Sequence, residues 1–524
     1  MYSCPGCGSQ LLFDIAGQQL KCGRCDRTMS IEEADEKEAR QAGSSFAVDV
    51  LTCPTCGAEI RAVNTAAASF CSYCGSSVML EKQEGAEFVP PETVIPFQIT
   101  REQCFEKFQG MLRGSFCTDH RLKKHITADS FRGIYVPYHT YEGSVEGSAT
   151  VEGSQTKGDT TYYYKTDIQL NHHYTGILHD ASREMPDNIS EAISISKDAK
   201  DLVRPFSPAY LSGFYADVSD TDPDYYIPYA RSETIRKGLE DTLPTLKDDS
   251  CQYSTSATEK ALMPKAKAQY TGDTMLPVWF MSMRSGKRVL YAVQNAVTGE
   301  MWADIPMDIS RFVLVALAIA AALFFVFNSF LTLRPEMVMI AAMLLALFAQ
   351  LAVNGRRVKM GEKQLAEAVV RGETVNVEDR MSKMKKLESR VKRQRNGGVF
   401  RYLGALGAGA GSCIALNILS SMDDVRIFRY GALILTVIMA VLLVPWDRRS
   451  KLPAGCVVTL IAMIAGTAIM LLDPFHSADT PVYIVTLAIM GGVVWESLSL
   501  LRLYNKSCSN ALPQFESHQG GELL

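Results

Sequence analysis

The sequence has almost no net charge: 53 Lys plus Arg stand against 57 Asp plus Glu, a balance of -4. That excludes the global basic field that draws a protein onto nucleic acid. Short patterns of common enzymes are also missing. There is no G-x-x-x-x-G-K-[ST] phosphate loop, which argues against an ATPase or helicase, and no His-Glu-x-x-His metal motif. No Gly-x-Ser-x-Gly nucleophile elbow occurs either. A non-enzymatic chain is therefore expected, and no small-molecule substrate is evident. The opening Met-Tyr-Ser-Cys has neither a charged n-region nor an apolar h-region, so no cleavable signal peptide is expected.

What the sequence does have is cysteine in a pattern. Eight of its fourteen cysteines form four Cys-x-x-Cys pairs: Cys4 and Cys7, Cys22 and Cys25, Cys53 and Cys56, Cys71 and Cys74. Adding 49 to each cysteine of the first set gives the second, and the shift also matches Gly8 to Gly57, Leu11 to Ile60 and Met29 to Val78. This is an internal duplication. A disulfide framework or a thioredoxin-like redox pair would also use paired cysteines. Four evenly duplicated pairs with no βαβ pattern around them favour metal. Two Cys-x-x-Cys turns complete a closed tetrahedral Cys4 site with bonds of about 2.3 Å. The expectation is two zinc ribbons with two structural Zn2+ ions, held by Cys4, Cys7, Cys22 and Cys25 and by Cys53, Cys56, Cys71 and Cys74. Modules of about 30 residues bury too little apolar surface to fold alone, so the ion supplies much of their folding free energy. Zinc thiolates need a reducing compartment, which puts this half in the cytoplasm.

The ribbons lack the basic, aromatic stripe of nucleic-acid binders: Lys21, Arg24 and Arg27 face Asp14 and Asp26 in the first. A protein partner is the expected contact and nucleic acid an unlikely one. Between the ribbons, a charged helical spacer begins with Ser30 and Glu33, a capping box. Residues 93–306 read as a mixed α+β, mostly β, soluble domain. Its strand-like runs are GIYVPYHTY from Gly133 to Tyr141, LPVWFMSM and VLYAVQNAV, with helices over 100–125, 186–204 and 229–243. Six of the eight histidines lie between His120 and His179, without the fixed spacing of a metal or catalytic site.

The paired CPxCG and CxxC ribbons, GIYVPYHTY, and LPVWF followed by YAV and TGE, ahead of apolar helices, resemble a bacterial membrane protein family. That family carries zinc ribbons of the transcription-factor-IIB type. The resemblance covers roughly residues 1–310. It implies metal-site geometry, not a transcription factor, and membrane anchors that accompany flotillin-like and phage-shock-type envelope-stress proteins.

From Arg311 onward long apolar runs dominate. Six transmembrane helices are expected: Phe312–Leu333, Met337–Val353, Tyr402–Met422, Tyr430–Trp446, Gly455–Leu472 and Pro481–Leu501. The loop from Asn354 to Arg401 holds fourteen Lys plus Arg against six Asp plus Glu, whereas Asp473 to Thr480 holds none of either basic residue. The positive-inside rule then places the N- and C-termini in the cytosol, for a multi-pass protein of the cytoplasmic (inner) membrane. Within that loop Met381, Met384, Leu387 and Val391 recur at helical spacing among basic residues. Residues 380–395 could therefore lie on anionic headgroups of the lipid bilayer, or simply be a solvated helix. Glu496, near Arg502, suits an interfacial pair.

The expected order is ribbon 1 over 1–30, a helical linker over 31–50, ribbon 2 over 51–82 and the β-rich domain over 93–306. Transmembrane helices 1 and 2 follow over 312–353, a basic amphipathic cytosolic loop over 354–401, transmembrane helices 3 to 6 over 402–501, and a cytosolic tail over 502–524. The expected function is a scaffold or adaptor that recruits a protein partner to the membrane. The alternatives are a transporter or channel with a zinc-ribbon regulatory domain, and a nucleic-acid-linked membrane regulator.

Overall fold

The computed structural model describes residues 2–41, 48–62, 71, 73–76, 81–86, 90–114, 117–157, 160–182, 202–217, 219, 221–246, 252–285, 288–330, 335–350, 425–443, 454–472 and 479–511. The chain divides into two compact units. One spans residues 1–114, 123–304 and 511–524; the other spans 115–122 and 305–510.

In the first unit, ribbon 1 is a small antiparallel sheet of β1 (Leu11–Asp14), β2 (Gln19–Cys22) and β3 (Thr28–Met29). The charged spacer forms a helix over Ile31–Gln41, and the Ser30 hydroxyl accepts from the Glu33 amide at 3.2 Å, one half of the expected box.

Ribbon 2 is built differently from its duplicate. Its strands β4 (Val48–Thr52), β5 (Glu59–Ala62) and β6 (Glu81–Ala86) join the main sheet of the β-rich region. After β7 (Thr93–Val94) come the long strands β8 (Arg132–Lys157) and β9 (Thr160–Asp180), then β10 (Arg204–Pro205), β11 (Tyr215–Ala216), β12 (Gln252–Ser254), β13 (Ala266–Ser285), β14 (Arg288–Asn295) and β15 (Met301–Ala303). The sheet runs β10-β7-β13-β8-β11-β5-β4-β6. The link is β11, which pairs parallel to β8 on one side and antiparallel to β5 on the other.

The strand-like runs LPVWFMSM and VLYAVQNAV pair as β13 antiparallel to β14, and β14 pairs antiparallel to β15. Residues Leu276–Met281 of β13 are all buried, as their unbroken apolar run requires of a strand covered on both faces. Phe280 packs on Tyr73 of ribbon 2, with ring centroids 5.7 Å apart. On the other face Trp279 packs on Phe97, which in turn stacks on Phe214 at 4.2 Å. The helix expected over 229–243 occupies Ile227–Thr242 and lies on the hairpin formed by β8 and β9. The helix expected over 186–204 falls outside the described residues.

The second unit is helical. Its helices are Ile309–Phe330, Pro335–Gln350, Val425–Leu443, Ala454–Leu472 and Asp479–Ser507. Among the described residues, two helices are long and apolar enough to cross a membrane: Gly455–Leu472 and Asp479–Lys506. The six-span expectation is reduced accordingly. Shorter apolar stretches are Ile309–Ile319 and Arg429–Ala440, which belong to helices of 22 and 19 residues, and Pro335–Gln350. The third expected span and the basic loop, 354–401, lie outside the described residues. The helices pack through Met339, Met343, Ala346, Ala432, Met439 and Met463, with a Thr436–Thr467 hydroxyl contact of 2.8 Å. Leu314, Ile461, Leu472 and Leu487 remain exposed.

Candidate metal centres

Each Cys-x-x-Cys turn is closed by the same two backbone hydrogen bonds. The amide of the first cysteine donates five residues ahead: Cys4 to the Ser9 carbonyl at 2.7 Å, Cys22 to Arg27 at 2.9 Å, Cys53 to Ala58 at 2.9 Å and Cys71 to Ser76 at 3.0 Å. The amide after the second cysteine donates back to the first: Gly8, Asp26, Gly57 and Gly75, at 2.8–3.0 Å. These last four residues have φ of +71°, +54°, +80° and +67°. Such a conformation suits glycine, and aspartate tolerates it better than most residues. The duplication matches Gly8 to Gly57, but it does not mark Gly75 and Asp26, which hold the same backbone conformation. The repeated Cys-Gly in CPGCG, CPTCG and CSYCG was the available signal.

The four turns bring the eight predicted ligands together in two sets of four, each with its sulfurs within 4.8 Å of one another. In the first, Cys4–Cys25 and Cys7–Cys22 are 3.5 Å apart and Cys7–Cys25 3.6 Å. In the second, Cys53–Cys74 and Cys56–Cys71 are both 3.8 Å apart. A tetrahedron with metal–sulfur bonds of about 2.3 Å has edges of about 3.8 Å, whereas a disulfide brings its sulfurs to about 2.05 Å. The separations fit a shared ion and not a disulfide framework.

Electrostatics point the same way. The Gly6 amide, 3.4 Å from Cys4 Sγ, lowers the Cys4 pKa, and the Ser9 backbone and hydroxyl bring Cys7 to about 6. Their neighbours pay the opposite penalty. The Arg27 amide, the largest single influence on Cys25, pulls its pKa down, but the thiols of Cys4, Cys22 and Cys7 together push it up to about 12. In the second centre the Cys53 thiol, with Cys71 and Cys74, drives Cys56 far above its ordinary value. Four sulfurs so close cannot all be anionic without a cation between them, and a divalent ion would hold all four as thiolates. By contrast the pKa of Cys104, which lies apart, is raised by burial against a smaller opposing pull from Lys107.

The two centres sit in different surroundings. Cys53, Cys56, Cys71 and Cys74 are each 0% exposed and form part of the hydrophobic core with Leu51, Val278, Phe280 and Tyr291. In the first centre Cys4 and Cys22 are buried, Cys7 is half-buried and Cys25 exposed. The second is also held by residues distant in sequence. The Tyr73 hydroxyl donates to Asp217 at 2.8 Å, Tyr291 donates to the Tyr73 carbonyl at 2.7 Å, and Arg284 donates to Ser76 Oγ at 2.9 Å.

Among the described residues, these two sets are the groups of three or more ligating side chains close enough to share an ion. Among the described residues the histidines do not converge. His139 is buried, with Nδ1 2.7 Å from Asp273 and Nε2 3.0 Å from the Thr221 hydroxyl. His172 bonds Thr242, His173 pairs with Glu142, and His179 stacks on Tyr226 at 3.8 Å. Glu496 is 2% exposed and packs against Gly455, whereas Arg502 is exposed.

Comparison with known proteins gives one similarity to report. The chain is 24% identical over 321 residues to the uncharacterized protein YdjG of Bacillus subtilis (strain 168), covering 59% of this chain and 90% of that protein. No family model and no solved structure matches.

Proposed function

We propose that this chain is a non-enzymatic, zinc-binding membrane protein whose cytosolic ribbons and β domain recruit a protein partner to the inner membrane, in the setting of envelope stress. The observation that carries the reading is the gathering of eight thiols into two four-sulfur sites. Four cysteine ligands complete a zinc coordination shell and leave no position for a substrate, so the ions are structural. Anchoring is supported by the two long apolar helices and by the exposed Leu314, Ile461, Leu472 and Leu487, which water would disfavour and lipid accepts. In this reading both termini face the cytosol, where thiols stay reduced, and residues 380–395 add attraction to anionic headgroups. Liposome flotation that depends on anionic lipid supports that last contact; equal flotation with neutral vesicles rejects it. The main test is affinity capture from native membranes, comparing wild type with Cys4→Ser plus Cys53→Ser. Loss of a partner from the variant is the expected result, and identical partner sets would count against ribbon-mediated recruitment.

One observation favours transport as a second reading. Glu496 is a buried carboxylate among apolar helices, a position where membrane proteins place ion and proton pathways. Solute flux into proteoliposomes that is lost in Glu496→Gln would promote it.

A further inference from the structure

The duplication gave two centres with the same ligands, yet the fold treats them unequally. We infer that the second centre is the keystone of the β domain, whereas the first is an exchangeable zinc site whose ion can be withdrawn and returned while the rest of its unit stays folded. The inference rests on the reading that both centres bind zinc.

Access is the first argument. Zinc exchanges ligands by admitting a fifth donor before an old one leaves, so an incoming sulfur or nitrogen must reach the ion. Exposed Cys25 and half-buried Cys7 leave one flank of the first centre open to an acceptor thiol or chelator. All four sulfurs of the second are shut inside the core.

Attachment is the second. Ribbon 1 has its own three-stranded sheet, and among the described residues its hydrogen bonds to the rest of the unit run through residues outside both of its knuckles. The Phe13 amide donates to the Ser212 carbonyl at 3.0 Å and Gln18 Nε2 to the Phe97 carbonyl at 2.7 Å. Tyr2 and Ser207 both donate to Asp35 Oδ1, at 2.6 and 2.9 Å. Losing the first ion loosens the knuckles without cutting these ties. In the second centre the knuckle is itself the tie: Tyr73, between Cys71 and Cys74, is bonded to Asp217 and Tyr291, and Ser76 to Arg284 on β13. Releasing that ion requires opening the core. Ribbon 1 thereby becomes a contact surface whose shape depends on zinc supply.

The test uses the full chain, purified in detergent with zinc, and the chelator 4-(2-pyridylazo)resorcinol. Zinc release is followed by absorbance, and amide exchange of β13 and β14 by mass spectrometry. We expect one equivalent to leave at least about tenfold faster than the other, with β13 and β14 still protected, because only the slow release needs sub-global opening. Cys25→Ser should abolish the fast phase and leave the slow one. Release of two equivalents in a single phase, or loss of β13 and β14 protection during the fast phase, overturns the division between the centres. A preparation without zinc overturns the underlying reading instead.

Discussion

Gly8 and Gly75 have nearly the same backbone, with φ of +71° and +67°, but different neighbours. A Cβ at Gly8 meets nothing within 4 Å, whereas at Gly75 it would lie 3.0 Å from the Arg284 amide nitrogen. Alanine at either position carries the left-handed penalty of about 1–2 kcal/mol. Gly75→Ala adds a clash with backbone that cannot turn aside, of about 1–3 kcal/mol. Thermal melts of the zinc-loaded protein should rank Gly75→Ala clearly below Gly8→Ala; equal melting would show that the second knuckle is not tied to β13. The eight ligands were legible because their chemistry is written in local spacing. Tyr73 and Asp217 were not, since 144 residues separate two partners that only the folded sheet brings together.

Asp273 supplies a pH-dependent counterpart at the same scale. Burial, the largest influence, raises its pKa, yet hydrogen bonds from His139 and Tyr270 outweigh it and hold the carboxyl below its ordinary 3.8. A depressed folded value means that the carboxylate's contribution is fully present above the unfolded pKa and is lost as pH falls through the folded one. Asp273→Asn should cost about 1–3 kcal/mol at neutral pH by leaving His139 poorly satisfied. Urea melts should show its gap to wild type closing below about pH 4, while zinc loss at acid pH affects both proteins alike. A gap that is independent of pH would assign the loss to packing.

At the scale of elements, the β8–β9 hairpin sets how closely the helix Ile227–Thr242 can approach. A Cβ at Gly143 would fall 1.9 Å from Thr234 Oγ1, and that hydroxyl is already committed to the Ala230 carbonyl at 2.7 Å. Gly143→Ala should therefore push the helix off the sheet and destabilise the unit by about 1–3 kcal/mol, read by urea denaturation. An unchanged midpoint would contradict this packing. The first half of β8 was legible in GIYVPYHTY, rich in β-branched and aromatic residues. The second half, GSVEGSATVEGSQTK, has the composition of a loop. Its strand character lies in the alternation of buried Val145, Val151 and Gln155 with exposed Glu146 and Glu152, which its glycines and serines mask. Nor could spacing show that the ribbons would part ways. Their cysteines are equivalent, and the difference comes from β11, a two-residue strand that joins ribbon 2 to the main sheet.

For the whole molecule, the cysteine sets, the mostly β region and the helical C-terminal part were all readable from composition and period. Of the membrane count, the last two expected spans are matched by helices long and apolar enough to cross, and the third lies outside the described residues. The chain combines a mostly β unit that gathers two four-cysteine sets able to hold metal ions with a unit of apolar helices. X-ray absorption at the zinc edge, combined with metal analysis of the intact chain, tests this most directly. The account predicts two zinc ions per chain, each with four sulfur neighbours at about 2.3 Å. Fewer than two ions, oxygen or nitrogen in the first shell, or disulfides among the eight cysteines would contradict it.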